Sequence, residues 1–207
     1  MNGNIKNTRL LAAVMFTDIV GYTALMQKNE KQAMYMRICK RRALEMNIVK
    51  HQGKVVQYFG DGSLSIFKSS LNAVTSAINI QNILQKKLVP VRIGIHLGEI
   101  VYNNDGIYGN AVNIASRIES LSLPGSVLIS DSVYLEVKNQ TEIKTAALGT
   151  FEFKNVEHPI KIYTLKNQES EIMFKQINNK WDKIQSKRVV TDLVKTVLSN
   201  IDTGINN

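Results

Sequence analysis

The chain has 207 residues, 44% hydrophobic and 21% charged, with a formal net charge of +9 and one cysteine. That length holds one domain with some to spare, and the lone Cys39 excludes a disulfide framework and points to a reducing, cytoplasmic setting. No apolar run approaches the ~20 residues that span a bilayer, and the polar start lacks the apolar centre of a signal peptide, so membrane contact is not expected. The positive charge suits an anionic partner, but the basic residues are scattered, most reading as solvated surface. No zinc-ligand spacing or base-stacking motif accompanies them, which argues against nucleic acid. Cys39, in a helical run beside Lys40, Arg41 and Arg42, reads as a packed spectator thiol.

In chain order, Leu10–Phe16 is an apolar run suited to a buried strand and runs on into Thr17–Thr23. Glu30–His51 reads as a long helix with Ala33, Met36, Ala43, Met46 and Val49 near a 3.6 period, stopped by Gly53. Lys54–Phe59 and Ser63–Phe67 are strand-like about a Gly60-Asp61-Gly62 hairpin. Ser69–Lys87 is helical through Ala73, Ala77, Ile80 and Leu84, and Pro90 ends it. Val91–His96 is a strand, with Glu99–Tyr102 as its expected partner. Asn110–Leu121 is a helix closed by Pro124-Gly125. Ser126–Ile129, a short helix and further strands reach Leu165. This order is the split βαβ pattern of a ferredoxin-like α+β domain. The expected organisation is a polar tail over 1–9, a catalytic domain over 10–166 and a helical extension over 167–207. In that extension Phe174, Ile177, Trp181, Ile184, Val190, Leu193 and Val197 fall at loosely helical spacing, suited to packing on the domain or on a second copy.

Asp18 closes an apolar strand and Asp61 sits in a hairpin tip. In a split βαβ core these places face each other at one end of the sheet. Paired carboxylates there suit Mg²⁺ or Mn²⁺, with triphosphate oxygens completing the shell. Singly, Asp18 also reads as a helix N-cap and Asp61 as a turn former.

The flanking residues carry a resemblance. Val14-Met15-Phe16-Thr17-Asp18-Ile19-Val20-Gly21-Tyr22-Thr23 resembles the first metal motif of class III nucleotidyl cyclases, and Phe59-Gly60-Asp61-Gly62 resembles the second. Arg92-Ile93-Gly94-Ile95-His96-Leu97-Gly98 resembles a third signature. Tyr108-Gly109-Asn110-Ala111-Val112-Asn113-Ile114-Ala115-Ser116-Arg117 resembles the fourth, with Leu123-Pro124-Gly125 after it. The motifs keep the family's order over about Leu11 to Leu165. The resemblance implies a catalytic domain active as a homodimer on a nucleoside triphosphate. Asp18, Asp61 and the carbonyl of Ile19 would hold two divalent ions, Mn²⁺ or Mg²⁺. Phe16 and the turn through Gly21, Tyr22 and Thr23 would line the triphosphate. Asn113 would orient the ribose, Arg117 would neutralise charge at the phosphate, and Lys154 would bind phosphate. The aspartates of one subunit would face the Asn113–Arg117 pair of the other. His51, His96 and His158 are then structural, because no protein base is required.

Base choice departs from the family's purine patterns. Adenylate cyclases usually carry Lys where this chain has Gln57, and Asp, Thr or Ser where it has Gly106; guanylate cyclases carry Glu and Cys. Gln57 offers one acceptor and two donors, which suit adenine or a pyrimidine edge. Tyr58, next to it, alternates away. Small free-standing bacterial cyclases that make cyclic UMP or cyclic CMP in antiphage defence form one branch of the family. This chain resembles that branch in showing no receptor, transmembrane or sensor domain. The expectation is therefore a pyrimidine nucleotide cyclase, with an adenylate cyclase as the alternative and a silent nucleotide- or partner-binding relative as the second. A diguanylate cyclase is set aside because its Gly-Gly-acidic-acidic-Phe hairpin is absent.

Overall fold

The structure is a computed structural model and describes residues 8–103 and 106–165. The expected polar tail and the expected helical extension lie outside the described residues, apart from the tail's last two.

The ferredoxin-like core is formed by β1 (Thr8–Ile19), α1 (Tyr22–Lys28), α2 (Glu30–Lys50), β2 (Gly53–Phe59), β3 (Gly62–Phe67), α3 (Ser70–Lys86) and β4 (Val91–Asn103). After it come β5 (Gly106–Tyr108), α4 (Asn110–Leu121), β6 (Val127–Ser130), α5 (Asp131–Val137), β7 (Thr145–Phe151) and β8 (Ile160–Leu165). The strands lie in the order β2-β3-β1-β4-β6-β8-β7, with β5 paired to β4. This is an α+β domain with the expected split βαβ core.

The alternation of a strand sends successive side chains to opposite faces. On one face Ala13, Met15, Ile19, Phe67, Ile93 and Ile95 pack with Leu44, Ile48, Ala77, Ile80 and Leu84 of α2 and α3. On the other, Ala12, Val14, Leu64 and Ile100 pack with Ala111 and Ala115 of α4. There Leu10, Phe16, Val56 and Ile66 remain only partly buried.

Two glycines seat α4. A Cβ at Gly94 would lie 2.2 Å from the Glu119 nitrogen, and one at Gly98 would lie 2.8 Å from the Ala111 Cβ. Spaced four apart on one strand face, they let helix backbone lie directly on β4.

Several expectations change. Val91–His96 and Glu99–Tyr102 are one continuous strand, not a pair: β1 is long enough to register with it from Ile19↔Val91 to Thr8↔Tyr102, and its hairpin partner is β5. No turn-forming pair interrupts it, since Gly98 serves helix packing. β1 runs on to Ile19, and after two residues α1 begins at Tyr22, where a turn was expected. Gln52, at φ 57, turns the chain after α2, while Gly53 opens β2 because its Cβ would meet the Phe67 ring at 2.3 Å. On α2 the expected Ala33, Met36 and Ala43 do face the core, but the stripe departs from the expectation beyond them. Met46 and Val49 are 68% and 73% exposed, while Lys40, Leu44, Asn47 and Ile48 face inward. Asn47 satisfies its amide on the Ala43 carbonyl at 2.8 Å, which lets a polar residue occupy that stripe. Cys39 is buried, as expected of a spectator.

Candidate active site at the end of strands β1 and β3

The β1–β3 ladder ends at Thr17↔Ser63, whose hydroxyls meet at 2.7 Å. Just beyond that last rung lie Asp18 and Asp61. The Asp61 carboxylate accepts the Ile19 N–H at 3.1 Å. Burial, then the hydrogen bond and charge of Asp18, push the Asp61 carboxyl up to about 6, while the Ile19 amide pulls it down. The two acids therefore share one small site, and the expectation that they converge holds. Asp18 is not a helix cap, because Gly21, at φ 76, takes the N-cap position of α1.

Three further charges surround the pair, and their roles were not read from sequence. Arg92 on β4 donates to Asp18 Oδ2 at 2.9 Å, and its Nε forms an ion pair with Glu119 of α4. Burial raises the Glu119 carboxyl to about 7, against the lowering charge of Arg92. Lys40, 2% exposed, donates to the Thr17 carbonyl at 3.1 Å and to the Asp61 carbonyl. Burial lowers its ammonium to about 8, while Asp18, Asp61 and Glu119 hold it up. It sits in the Lys40-Arg41-Arg42 run. The structure divides that run: Lys40 turns inward, whereas Arg41 lies 4.6 Å from the Tyr58 ring centre and bonds Glu45. Helical geometry separates adjacent residues by 100°, and that spacing is the one signal that placed Lys40 near the face of Ala33, Leu44 and Asn47.

The remaining predicted residues divide into two sets. Phe16 is on the face of Asp18, its ring 5.7 Å from that of Phe59. The register Gln57↔Leu64↔Phe16↔Gly94 sets Gln57, which is exposed, in the same row on that face. Tyr58 faces the other way, its hydroxyl towards Glu45 at 3.4 Å. Gly21 and Thr23 are exposed at the turn into α1, whereas the Tyr22 ring packs on the core, leaving its backbone for the site. The Ile19 side chain is likewise buried, so only its main chain is available.

The structure does not bring Asn113, Arg117 or Lys154 to this pair. Asn113 is exposed near the Gly98 end of α4. Arg117 has a buried Nε without a hydrogen-bond partner. No hydrogen bond or ion pair links either to Asp18 or Asp61 among the described residues. Lys154, exposed, follows β7, with β4, β6 and β8 between that strand and β1. The strand directions put the β7–β8 segment at the opposite end of the sheet from Asp18.

Among the described residues, no three His, Cys, Asp or Glu side chains cluster as a metal cage. Two adjacent carboxylates and a main-chain carbonyl still make an all-oxygen donor set, and a cation there would offset the burial, and after it the neighbouring Asp18, that raise the Asp61 carboxyl. The residues fit a hard divalent ion. Of the histidines, His96 is held by Ser130 at 2.9 Å, and burial lowers it to about 4.

A two-faced α+β sheet carries paired acids at the end of β1, and comparison gives its family. Residues 7–167 match the Adenylate and Guanylate cyclase catalytic domain family, and the chain belongs to that family. It is 36% identical over 165 residues to Putative adenylate cyclase 3 of Rhizobium meliloti (strain 1021); the match covers 75% of this chain and 28% of that protein. The chain thus spans about a quarter of that relative's length. Among solved structures, the Adenylate/Guanylate Cyclase/Hydrolase from Silicibacter pomeroyi superposes with a TM-score of 0.73 at 30% identity, over 79% of this chain and all of that one. The adenylyl cyclase CyaB from P. aeruginosa shares the fold, with a TM-score of 0.71 at 24% identity over 80% and 98% of the two chains. Among the described residues, no helix is long and apolar enough to cross a membrane.

Proposed function

We propose that the chain is a cytoplasmic, metal-dependent nucleotidyl cyclase. It converts a pyrimidine nucleoside triphosphate, UTP or CTP, to the 3′,5′-cyclic mononucleotide and pyrophosphate, as a second messenger in antiphage defence. The observation that carries the cyclase reading is the convergence of Asp61, Asp18 and the main chain of Ile19 just past the last β1–β3 rung.

When bound there, two Mn²⁺ or Mg²⁺ ions supply charge stabilisation at the α-phosphate and lower the pKa of the ribose 3′-hydroxyl. Asp18 and Asp61 hold that charge in place. The turn at Gly21–Thr23 presents backbone N–H groups to the triphosphate, and the left-handed Gly21 shapes it. Attack of the 3′-hydroxyl on the α-phosphorus then forms one P–O bond and breaks another, releasing pyrophosphate.

The site is shared between two copies. Asn113, Arg117 and Lys154 lie away from the aspartates of their own chain, so a two-fold partner supplies them. The partly buried Leu10, Phe16, Val56 and Ile66 give that partner an apolar sheet face to cover. Asn113 then orients the ribose, and Arg117 meets the charge developing on the phosphorus.

The pyrimidine reading rests on Gln57, which stands in one row with Phe16 and carries no charge, and on Gly106, which offers no side chain. Purified protein incubated with Mn²⁺ and each of the four triphosphates separately tests it. Cyclic UMP or cyclic CMP is the expected product. Product from ATP alone would establish the second reading, an adenylate cyclase, which the 36% identity to Putative adenylate cyclase 3 favours.

A further inference from the structure

A lysine ammonium in a protein interior costs several kcal/mol in lost hydration, so its retention calls for a local reason. Lys40 is 2% exposed and makes its bonds to two carbonyls, those of Thr17 and Asp61. These carbonyls belong to the two chain segments that carry the paired acids. The β1–β3 ladder has already ended at Thr17↔Ser63, so regular strand pairing no longer holds the segments together where the acids lie. Another tie across the gap is the Ile19 N–H bonded to Asp61 Oδ2, beside the hydrogen bond between the two carboxyls. Both use carboxylate oxygens, the same kind of atom a divalent ion takes. The Lys40 tie uses main-chain oxygens only and leaves both carboxylates available.

We infer that Lys40 is a positioning residue: from behind the sheet its ammonium pins the end of β1 to the β2–β3 turn and fixes the gap between Asp18 and Asp61, in the free and the metal-loaded site alike. The inference rests on the reading of Asp18 and Asp61 as the metal site. Lys40 touches neither substrate nor metal; it acts through the two segments it bonds. The charge of Lys40 works in the opposite direction, since a cation near the pair repels a second one. Hydrogen bonding and charge therefore predict opposite outcomes on removal, which makes the proposal testable.

The test uses the full chain and its Lys40→Met, Lys40→Gln and Lys40→Arg variants. Mn²⁺ binding without nucleotide is followed by the electron paramagnetic resonance of free Mn²⁺, with Asp61→Ala as the reference for loss of the site. Hydrogen exchange is measured on metal-free protein. In Lys40→Met, Mn²⁺ binding weakens roughly tenfold, the scale of losing a partner that orients metal ligands. Exchange rises at Asp18–Val20 and Gly60–Gly62 and stays at the wild-type rate in the α3 and β4 core. Lys40→Gln, which keeps a donor without the charge, falls between Lys40→Met and wild type, and Lys40→Arg recovers most of the affinity.

Mn²⁺ binding in Lys40→Met equal to or tighter than wild type would overturn the proposal, as would unchanged exchange at both segments. A Lys40→Gln variant no better than Lys40→Met would do the same. Should Lys40→Met not fold, the Gln and Arg variants carry the comparison, and equal Mn²⁺ affinity in those two overturns it. If wild type and Asp61→Ala bind Mn²⁺ alike, the metal reading fails, and the exchange measurement still decides whether Lys40 pins the two segments.

Discussion

The end of β1 and the outer part of the sheet carry different kinds of polar residue. Around Asp18 and Asp61 each charge meets another: Arg92 bonds Asp18, Glu119 pairs with Arg92, and Lys40 is held by two carbonyls. On α4 and the β7–β8 segment, Asn113 and Lys154 stand in solvent, and Arg117 keeps a buried donor without a partner. The first cluster is held together by ion pairs and main-chain bonds within one chain, although Arg92 Nε and Glu119 Oε1 lack a hydrogen bond of good geometry, whereas Asn113, Arg117 and Lys154 form no ion pair among the described residues. Under the proposed function, the difference corresponds to two half-sites on one chain, which a two-fold copy would join as unlike halves.

The strongest way to break this comparison separates the halves by mutation. Asp61→Ala alone and Arg117→Ala alone should each lower kcat by about 10²–10³ or more, the scale of removing one preorganised charge from the transition state. Mixed together after unfolding and reassociation, the two inactive proteins should recover about a quarter of wild-type activity. Random assortment makes half the dimers mixed, and each mixed dimer keeps one of its two sites. Steady-state assays on the mixture check this. No recovery would mean that both halves serve the same site in one chain.

The residues of this proposed division were named from sequence through the resemblance, because the acids and the Asn113–Arg117 pair sit in contiguous motifs with fixed spacing. The core order was legible for a similar reason: the apolar runs of β1 and β3 and the α3 stripe through Ala73, Ala77, Ile80 and Leu84 depend on local periodicity alone. What could not be read depends on the third dimension. Arg92 is 74 residues from the Asp18 it bonds, and Glu119 reaches that pair across a helix–strand contact. Lys40 sits among basic residues, and only the rotation of α2 about its axis decides that it turns inward while Met46 turns out. β4 was split in two because Gly98 looks like punctuation until α4 is seen resting on it.

A glycine tests the contact that links the halves. Gly94→Ala puts a Cβ against the backbone of Glu119, which cannot move as a flexible side chain would. The expected cost is about 1–3 kcal/mol of stability in chemical denaturation, the range for overpacking a tight contact. Activity should fall further than stability, because α4 carries both Arg117 and the Glu119 partner of Arg92. Gly98→Ala meets the Ala111 side chain instead and should cost less.

Acid should distinguish stability from the site. Burial holds the folded His96 near 4, below its ordinary value of 6.5. The unfolded chain then binds more protons between those values, so stability present above about pH 6.5 is lost as pH falls towards 4. On the order of 2 kcal/mol is expected from the size of that shift, discounted for partial exposure. Melting temperatures at pH 7 and pH 5 check it: His96→Asn should lose less than wild type over that step. An equal loss in both would assign the acid sensitivity to other groups.

The smallest effect concerns the base. Gln57 is exposed on edge strand β2, so Gln57→Ala should leave the melting temperature within measurement error while changing the ratio of kcat/KM among the four triphosphates by about tenfold, the worth of one neutral hydrogen-bonding contact. A uniform fall for all four would mean that Gln57 supports the sheet edge and reads no base. A fall confined to the preferred nucleotide would place base recognition on the Gln57–Leu64–Phe16 row, beside the half that holds the aspartates. The division between halves would then extend to their chemistry, with one copy choosing the base and holding the metal ions while its partner orients the ribose and meets the developing charge.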